Sequence, residues 1–277
     1  MDTGYLDFVF GGPNANAMGI WNLFLLTLAR ILPIISITPF FGSKSIPNPA
    51  KMALALCIAT VMLPHLAAHS KVFPIMNWEF AGLFIKEFFV GLVIAYLATI
   101  PFWVAQSSGI VIDFMRGASS MIGQDPTMRN QVSSIGILYN QMTIVIFYSI
   151  GGASIFLNAV MSSYLILPPD TWISPIFFAK GFPFWKQIIS LAAHIMSMAL
   201  QLAAPAIVGS LMAEVFLGIA NRLAPQVQIA FLGISIRSML AIGLLCAGWM
   251  VVLQQISIET LNWLEVLRKT TYMFRVK

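Results

Sequence analysis

The sequence predicts an all-α polytopic membrane protein with about six hydrophobic segments. Of its 277 residues, 59% are hydrophobic and only 9% are charged, whereas a soluble domain carries about 25% charged residues. Six stretches lack Asp, Glu, Lys and Arg, and each approaches or exceeds the roughly 20 residues that cross the bilayer as a helix. These stretches are 8–29, 52–70, 88–112, 130–169, 187–213 and 238–258. We therefore expect one integral membrane domain over 1–277, with a basic tail at about 265–277.

The same pattern predicts where the helices lie and where they bend. Helices are expected at about 18–41, 50–69, 79–112, 131–167, 185–221 and 228–268. Several of them contain internal prolines, at Pro33, Pro39, Pro101 and Pro205. A proline kinks a membrane helix and is tolerated where neighbouring groups satisfy the freed carbonyl. The segments are therefore predicted to form a compact bundle of kinked helical hairpins.

The flanking charges disagree with six simple crossings. The last apolar stretch is followed by a basic tail, whereas the N-terminal part carries Asp2 and Asp7 and no base before Arg30. Because basic flanks favour the cytoplasm, a cytoplasmic C-terminus is predicted, with the N-terminus on the opposite side. Six crossings would place both ends on one side. The 130–169 stretch is too long for one span, and Gly151-Gly152 is predicted to break it.

The sequence contains no pattern typical of an enzyme. His65 and His69 have the spacing of metal-binding histidines on a helix, but Leu66 stands where a zinc protease has glutamate, and no third ligand is evident. We interpret them as an interfacial pair at a helix end. Neither a Gly-x-Ser-x-Gly elbow nor a phosphate-binding loop occurs. The basic residues are scattered singly. We therefore predict no catalysis, no cofactor, no metal site and no nucleic-acid partner.

The most informative polar stretch lies between the last two charge-free stretches. Ionisable groups near membrane depth usually face a protein interior or a water-filled path. Glu214, Gly218 and Arg222 share a helix face, but Glu214 and Arg222 are about 12 Å apart along the helix axis, too far for a salt bridge. Each is therefore predicted to have another partner. Pro225 is predicted to end the helix, with Gln226 in the turn of a helical hairpin.

A second polar stretch contains charged residues, glycines and a proline, the main ones being Gly109, Asp113, Arg116, Gly117, Asp125 and Pro126. Asp113 and Arg116 are three residues apart and can pair on one helix face. Two interpretations remain open: a non-helical loop that lines a cavity, or an ordinary connection outside the bilayer. Elsewhere, Glu87 beside Lys86 is interpreted as a helix-end charge in the headgroup region.

These residues resemble a known family. The matching motifs are Glu214-x-x-x-Gly218-x-x-Asn221-Arg222-x-x-Pro225-Gln226, Gly109-x-x-x-Asp113-x-x-Arg116-Gly117 with Asp125-Pro126, and Glu87-x-x-x-Gly91. In order and spacing, over roughly 20–250, the chain resembles the export-apparatus T subunit of bacterial type III secretion, whose flagellar relative is FliR. Asp113 and Arg116 resemble the injectisome branch more than the flagellar one. The residues after Pro225 depart from the usual family pattern.

The resemblance implies a structural, pore-forming subunit of the export gate in the bacterial inner membrane, which passes unfolded polypeptides. It also implies R-type and S-type partner subunits, a U-type switch subunit and contact with membrane lipid. By the same resemblance, the 109–126 stretch is a plug loop whose closed state Asp113 and Arg116 stabilise. The stretch from Glu214 to Gln226 is an assembly joint that bridges hairpins or subunits.

The alternative function is secondary transport. Asp113, Glu214 and Arg222 would then form a substrate or proton site at the membrane midplane. Inverted repeats would favour this function, and no convincing internal repeat is found in the sequence.

Overall fold

A computed structural model describes residues 16–42, 46–70, 75–117, 133–173, 183–223 and 229–272. The described residues form α-helices and one short 3₁₀ turn, Pro39–Phe41, and contain no strand, which confirms the all-α prediction. The helices are α1 (Ala17–Ile37), α2 (Asn48–His69), α3 (Trp78–Met115), α4 (Ser134–Ser149), α5 (Gly152–Ile166), α6 (Pro183–Leu223), α7 (Ile229–Ala247) and α8 (Trp249–Tyr272).

Prolines and glycines explain several of the helix ends and breaks. Thr38 is extended, with ψ 129°, and Pro39 then starts the 3₁₀ turn, because the residue before a proline is disfavoured in the helical region. The prediction of Pro39 inside a helix was therefore wrong. Gly151, with φ +72°, separates α4 from α5 as predicted. The break at Gly248 between α7 and α8 was not predicted.

Several helices are long and apolar enough to cross a membrane. Among the described residues, α1, α2, α3 and the part of α6 from Lys186 to Leu223 pass this test individually. The pairs α4–α5 and α7–α8 pass it only when each bent pair is taken together, which raises the number to six. The long 130–169 stretch is thus a broken helical pair rather than one straight span.

The chain divides into two compact units. The first contains described residues up to Thr99, from Gly151 to Gln187 and from Asn262 onwards; the second contains 100–150 and 188–261. Because α3, α6 and α8 each contribute residues to both units, the units are not separable lengths of chain. The single membrane domain over 1–277 stays a prediction.

The core of the first unit contains a buried ion pair. Arg30 of α1 donates from Nε and Nη2 to the two carboxylate oxygens of Glu87 in α3, at 2.5 and 2.7 Å, and both side chains are fully buried. Arg30 also donates to Ser163 Oγ and to the Leu167 carbonyl, and its guanidinium carbon lies 4.0 Å from the Tyr164 ring centroid. Since α3 begins at Trp78, the helix-end interpretation of Glu87 was wrong.

The neighbouring Lys86 fastens the turn after α5 to α3. Its Nζ donates to the carbonyl oxygens of Pro168, Pro169 and Thr171 at 3.0, 3.3 and 2.8 Å, and it lies 2.6 Å from Glu87 Oε1. The last carbonyls of a helix and those just beyond it have no partner within the helix. Here Lys86 of α3 and Arg30 of α1 donate to carbonyl oxygens just after α5. This explains why two bases and one acid share the site.

A glycine one turn after Glu87 lets α1 approach α3. A Cβ atom added to Gly91 would lie 2.2 Å from the Arg30 carbonyl oxygen and 2.7 Å from Pro33 Cγ. Contacts this short are not possible, so only glycine fits this helix crossing. The Glu87-x-x-x-Gly91 motif therefore has a physical basis: Gly91 makes room for the α1 backbone, and Glu87 neutralises the Arg30 side chain.

Pro101 lies inside α3, and a hydrogen bond from another helix compensates for its missing N–H. Pro101 has no backbone N–H, so the Leu97 carbonyl lacks the donor that a regular helix supplies. Trp263 of α8 donates from Nε1 to this carbonyl at 2.6 Å, and its side chain is buried. A side chain distant in sequence thus makes the proline tolerable, as membrane helices require.

Glu87→Gln should destabilise the protein by about 3–5 kcal/mol, because it leaves the Arg30 charge buried without a counter-charge. The free energy of unfolding of the detergent-purified protein measures this loss. Glu265→Gln is the matched control, since Glu265 forms a solvent-exposed pair with Lys269 and such pairs contribute about 0–1 kcal/mol. Equal losses in the two variants would contradict the central role of the buried pair.

Trp263→Phe should cost about 1–3 kcal/mol, because the Leu97 carbonyl loses the indole N–H that it accepts from. In a Pro101→Ala background the same substitution should cost much less, since residue 101 then supplies an N–H. A double-mutant cycle on thermal stability measures the difference. Trp21→Phe, at an exposed tryptophan, serves as control. Additive effects of the Trp263 and Pro101 substitutions would show that the two sites are not coupled through this carbonyl.

Candidate functional site

The candidate site in the second unit is centred on the Asp113 carboxylate. Asp113 lies in the last turn of α3 and is 8% exposed. Its Oδ1 accepts a hydrogen bond from Arg116 Nε at 2.7 Å, so the pairing predicted from the spacing is present. Its Oδ2 accepts from Ser133 Oγ at 2.6 Å and from the Ile135 N–H at 3.2 Å. One carboxylate therefore ties the end of α3 to the start of α4.

The backbone has a well-defined conformation both where α3 ends and where α4 begins. Gly117 has φ +82°, a left-handed conformation that glycine adopts without strain. Ser133 is the N-cap of α4, and its Oγ accepts from the Gly136 N–H at 2.8 Å. Asp113 thus bonds to Arg116 near the end of α3 and to Ser133 and Ile135 at the start of α4. Asp125 and Pro126, the other candidates of this stretch, lie outside the described residues.

A close helix crossing supports this arrangement. A Cβ atom added to Gly109 would lie 2.3 Å from the Gly136 nitrogen and 2.4 Å from its Cα. Gly109 is one turn before Asp113, so the glycine brings the two backbones together and the carboxylate receives donors from the approaching helix. Ser133 and Gly136 were missed in the sequence, although a serine before an apolar run is a signal for an N-cap.

The second candidate site lies on the hairpin formed by α6 and α7. Glu214 Oε1 is 2.8 Å from Arg237 Nη1, so the partner of Glu214 comes from α7 and not from Arg222, as the helix geometry required. Arg237 was not singled out in the sequence, because a single base within an apolar helix carries no pairing signal. Helix α6 is described as far as Leu223 and α7 from Ile229, so the predicted break between them lies outside the described residues.

Several members of the predicted assembly joint are accessible. Asn221 and Arg222 are exposed at the end of α6, and within the described ranges Arg222 has no ion-pair partner. A Cβ atom on Gly218 would meet nothing within 4 Å. Pro225 and Gln226 lie outside the described residues. This end of α6 therefore presents an unneutralised charge, and its nearby glycine makes no close contact in the described part of the chain.

The α6 surface beside Arg222 is strongly apolar. Side chains at helical spacing over four turns of α6 are exposed: Val208, Leu211, Met212, Val215, Phe216, Ile219 and Leu223. An apolar stripe of this length faces either lipid or another protein.

Among the described residues, the two acids of the alternative transporter site have different partners. Asp113 is bonded to Arg116, Ser133 and Ile135, while Glu214 is paired with Arg237. Each acid thus has its own local partners, which counts against a shared midplane substrate site. Among the described residues, no group of three or more His, Cys, Asp or Glu side chains is placed to hold a metal ion.

Comparison with known proteins shows which family this chain is similar to. Residues 21–262 match the model for bacterial export proteins, family 1. The Yop proteins translocation protein T of Yersinia pestis is 30% identical over 212 residues, which is 76% of this chain and 77% of that protein. The surface presentation of antigens protein SpaR of Salmonella typhimurium is 26% identical over 78% of this chain and 79% of that protein.

A flagellar relative is also similar, at lower identity. The flagellar biosynthetic protein FliR of Escherichia coli is 23% identical over 82% of this chain and 84% of that protein. The injectisome relatives agree with the branch that Asp113 and Arg116 predicted. Members of the family are structural components and not enzymes. The chain therefore belongs to family 1 of the bacterial export proteins, as a multi-pass inner-membrane subunit of a type III secretion export apparatus.

Proposed function

We propose that this chain is a pore-forming subunit of the export gate, and that the end of α3 around Asp113 helps to keep the gate closed. The supporting observation is that one carboxylate receives three hydrogen bonds, from Arg116, Ser133 and Ile135, and so holds the end of α3 against the start of α4. A gate must return to the same closed position after each substrate. A site fastened at both ends meets that requirement.

The energy of this contact suits a gate that opens under load. Each hydrogen bond to a charged group contributes about 1.5–3 kcal/mol. Losing one or two such bonds would change the ratio of open to closed states by one or more powers of ten, while the rest of the fold stays intact. The close crossing of α3 and α4 at Gly109 and Gly136 lies one helical turn from Asp113. We infer that α3 and α4 stay together when the gate opens.

The α6–α7 hairpin is proposed as the assembly joint. The Glu214–Arg237 pair links the two helices, so the hairpin can be presented to a neighbour as one body. Arg222 and the apolar stripe of α6 then supply a charge and a hydrophobic surface for binding. We propose R-type and S-type subunits as the partners, a U-type switch subunit as a further one, and lipid against the remaining apolar surface. The proposed cargo is unfolded polypeptide, and the C-terminus is placed in the cytoplasm.

Asp113→Asn in the assembled complex should raise the leak of ions. The neutral amide weakens the bonds from Arg116 and Ser133 by about 1.5–3 kcal/mol, which corresponds to a roughly 10- to 150-fold larger open fraction. Single-channel conductance or ion flux into proteoliposomes gives the readout, and deletion of 113–120 should have an equal or larger effect. Glu265→Gln is the control. Unchanged conductance in both Asp113 variants would rule out a gating role.

Arg222→Glu should reduce co-purification of this chain with its neighbouring subunits at least tenfold. The reason is that a reversed charge would face the group that Arg222 binds. Loss of one partner of such a charge pair costs about 2–5 kcal/mol. Lys269→Glu, a charge reversal at an exposed position of α8, should have little effect. The amount of complex after affinity purification is the measurement. A wild-type yield from Arg222→Glu, or a stable monomer that binds a small solute, would refute the proposed joint.

A further inference from the structure

The end of α2 carries two histidines whose rings lie against each other. His65 and His69 are one turn apart, their ring centroids are separated by 4.4 Å, and the ring planes are inclined by 40°. His65 is partly buried and His69 is exposed, and α2 ends at His69. Two imidazoles held this close on one helix face can present a nitrogen each to a single ion.

The hydrogen bonding of His69 identifies the nitrogen that is free to bind. His69 Nδ1 lies 2.8 Å from the His65 carbonyl oxygen. A carbonyl oxygen only accepts, so Nδ1 carries the hydrogen, and in the neutral imidazole Nε2 then keeps its lone pair. Histidines that bind metals usually have this arrangement, because the bond from the second nitrogen fixes both the tautomer and the ring orientation.

The position at the helix end also favours a cation. The C-terminus of a helix carries partial negative charge, which stabilises positive charge within the last turn. The Ser70 N–H and hydroxyl both donate to the Leu66 carbonyl, so the final turn is well defined up to the second histidine. A metal ion bound between the rings would lie beside this turn.

We propose that His65 and His69 chelate one divalent first-row transition-metal ion, of the zinc, nickel or copper type. These metals take imidazole ligands, whereas magnesium and calcium prefer oxygen. The sequence counted against a metal because no third ligand was evident; the ring geometry and the fixed tautomer instead support a two-histidine site. The remaining coordination positions are available to water or to a donor from a neighbouring chain. Because Leu66 occupies the glutamate position of a zinc protease, the site has no hydrolytic role.

Titration of the tag-free, detergent-purified protein with Cu²⁺ tests the proposal, because copper binds nitrogen sites most tightly in this series. Electron paramagnetic resonance reports how many imidazole nitrogens coordinate the ion. We expect one Cu²⁺ per chain with two nitrogens in the wild type. His69→Ala and His65→Ala should each weaken binding at least tenfold and leave a single nitrogen. The remaining histidine, His194, provides the matched control, and His194→Ala should bind like the wild type.

A second measurement guards against misfolding of the variants. Zn²⁺ should raise the melting temperature of the wild type and of His194→Ala, but not that of His69→Ala, whose metal-free melting temperature should be nearly unchanged because His69 is exposed. Wild-type copper affinity in the His65→Ala/His69→Ala double variant would overturn the proposal. So would a wild-type spectrum with one nitrogen, which would leave the two residues as an interfacial pair only.

Discussion

The buried pair of Arg30 and Glu87 is the constraint on which the first unit depends. A charge in an apolar interior is tolerated only when it is paired and its remaining donors or acceptors are satisfied. Arg30 meets this condition with both oxygens of Glu87, a serine hydroxyl, a carbonyl and an aromatic face. These groups come from α3, α5 and the residue that follows α5. Neutralising one guanidinium thus holds three segments together: α1, α3 and α5 with its following turn.

Helix α3 contains the same local arrangement at two positions. At Glu87 and Gly91, and again at Gly109 and Asp113, a carboxylate and a glycine are one helical turn apart. In each case the glycine admits the backbone of a crossing helix, and the carboxylate accepts hydrogen bonds from that helix or its cap. Without a Cβ atom, the backbones approach closely enough for short side chains to reach across. The motif spacings that resemble the family therefore describe helix crossings, one in each compact unit.

The proposed gating role requires rigid contacts beside the residues that would move. Trp263 supplies rigidity where Pro101 interrupts α3, since its indole N–H replaces the missing backbone donor. The Glu214–Arg237 pair links α6 to α7 at a partly exposed position. Asp113 is also buried, but it keeps 8% of its surface exposed, whereas Glu87 is fully buried. This difference in burial is consistent with a structural role for Glu87 and a proposed gating role for Asp113.

The sequence by itself determined the class of protein, the number of apolar segments, the break at Gly151 and the local pair of Asp113 with Arg116, because these depend on composition and on spacing within one helix. It also excluded a direct contact of Glu214 with Arg222. Only the tertiary structure decided the partners of Arg30, Glu87, Lys86 and Glu214, since each partner lies on a different segment and scattered single charges carry no pairing signal. The same holds for Gly136 and Trp263, whose roles exist only where two helices cross or where a distant proline leaves a carbonyl without a donor.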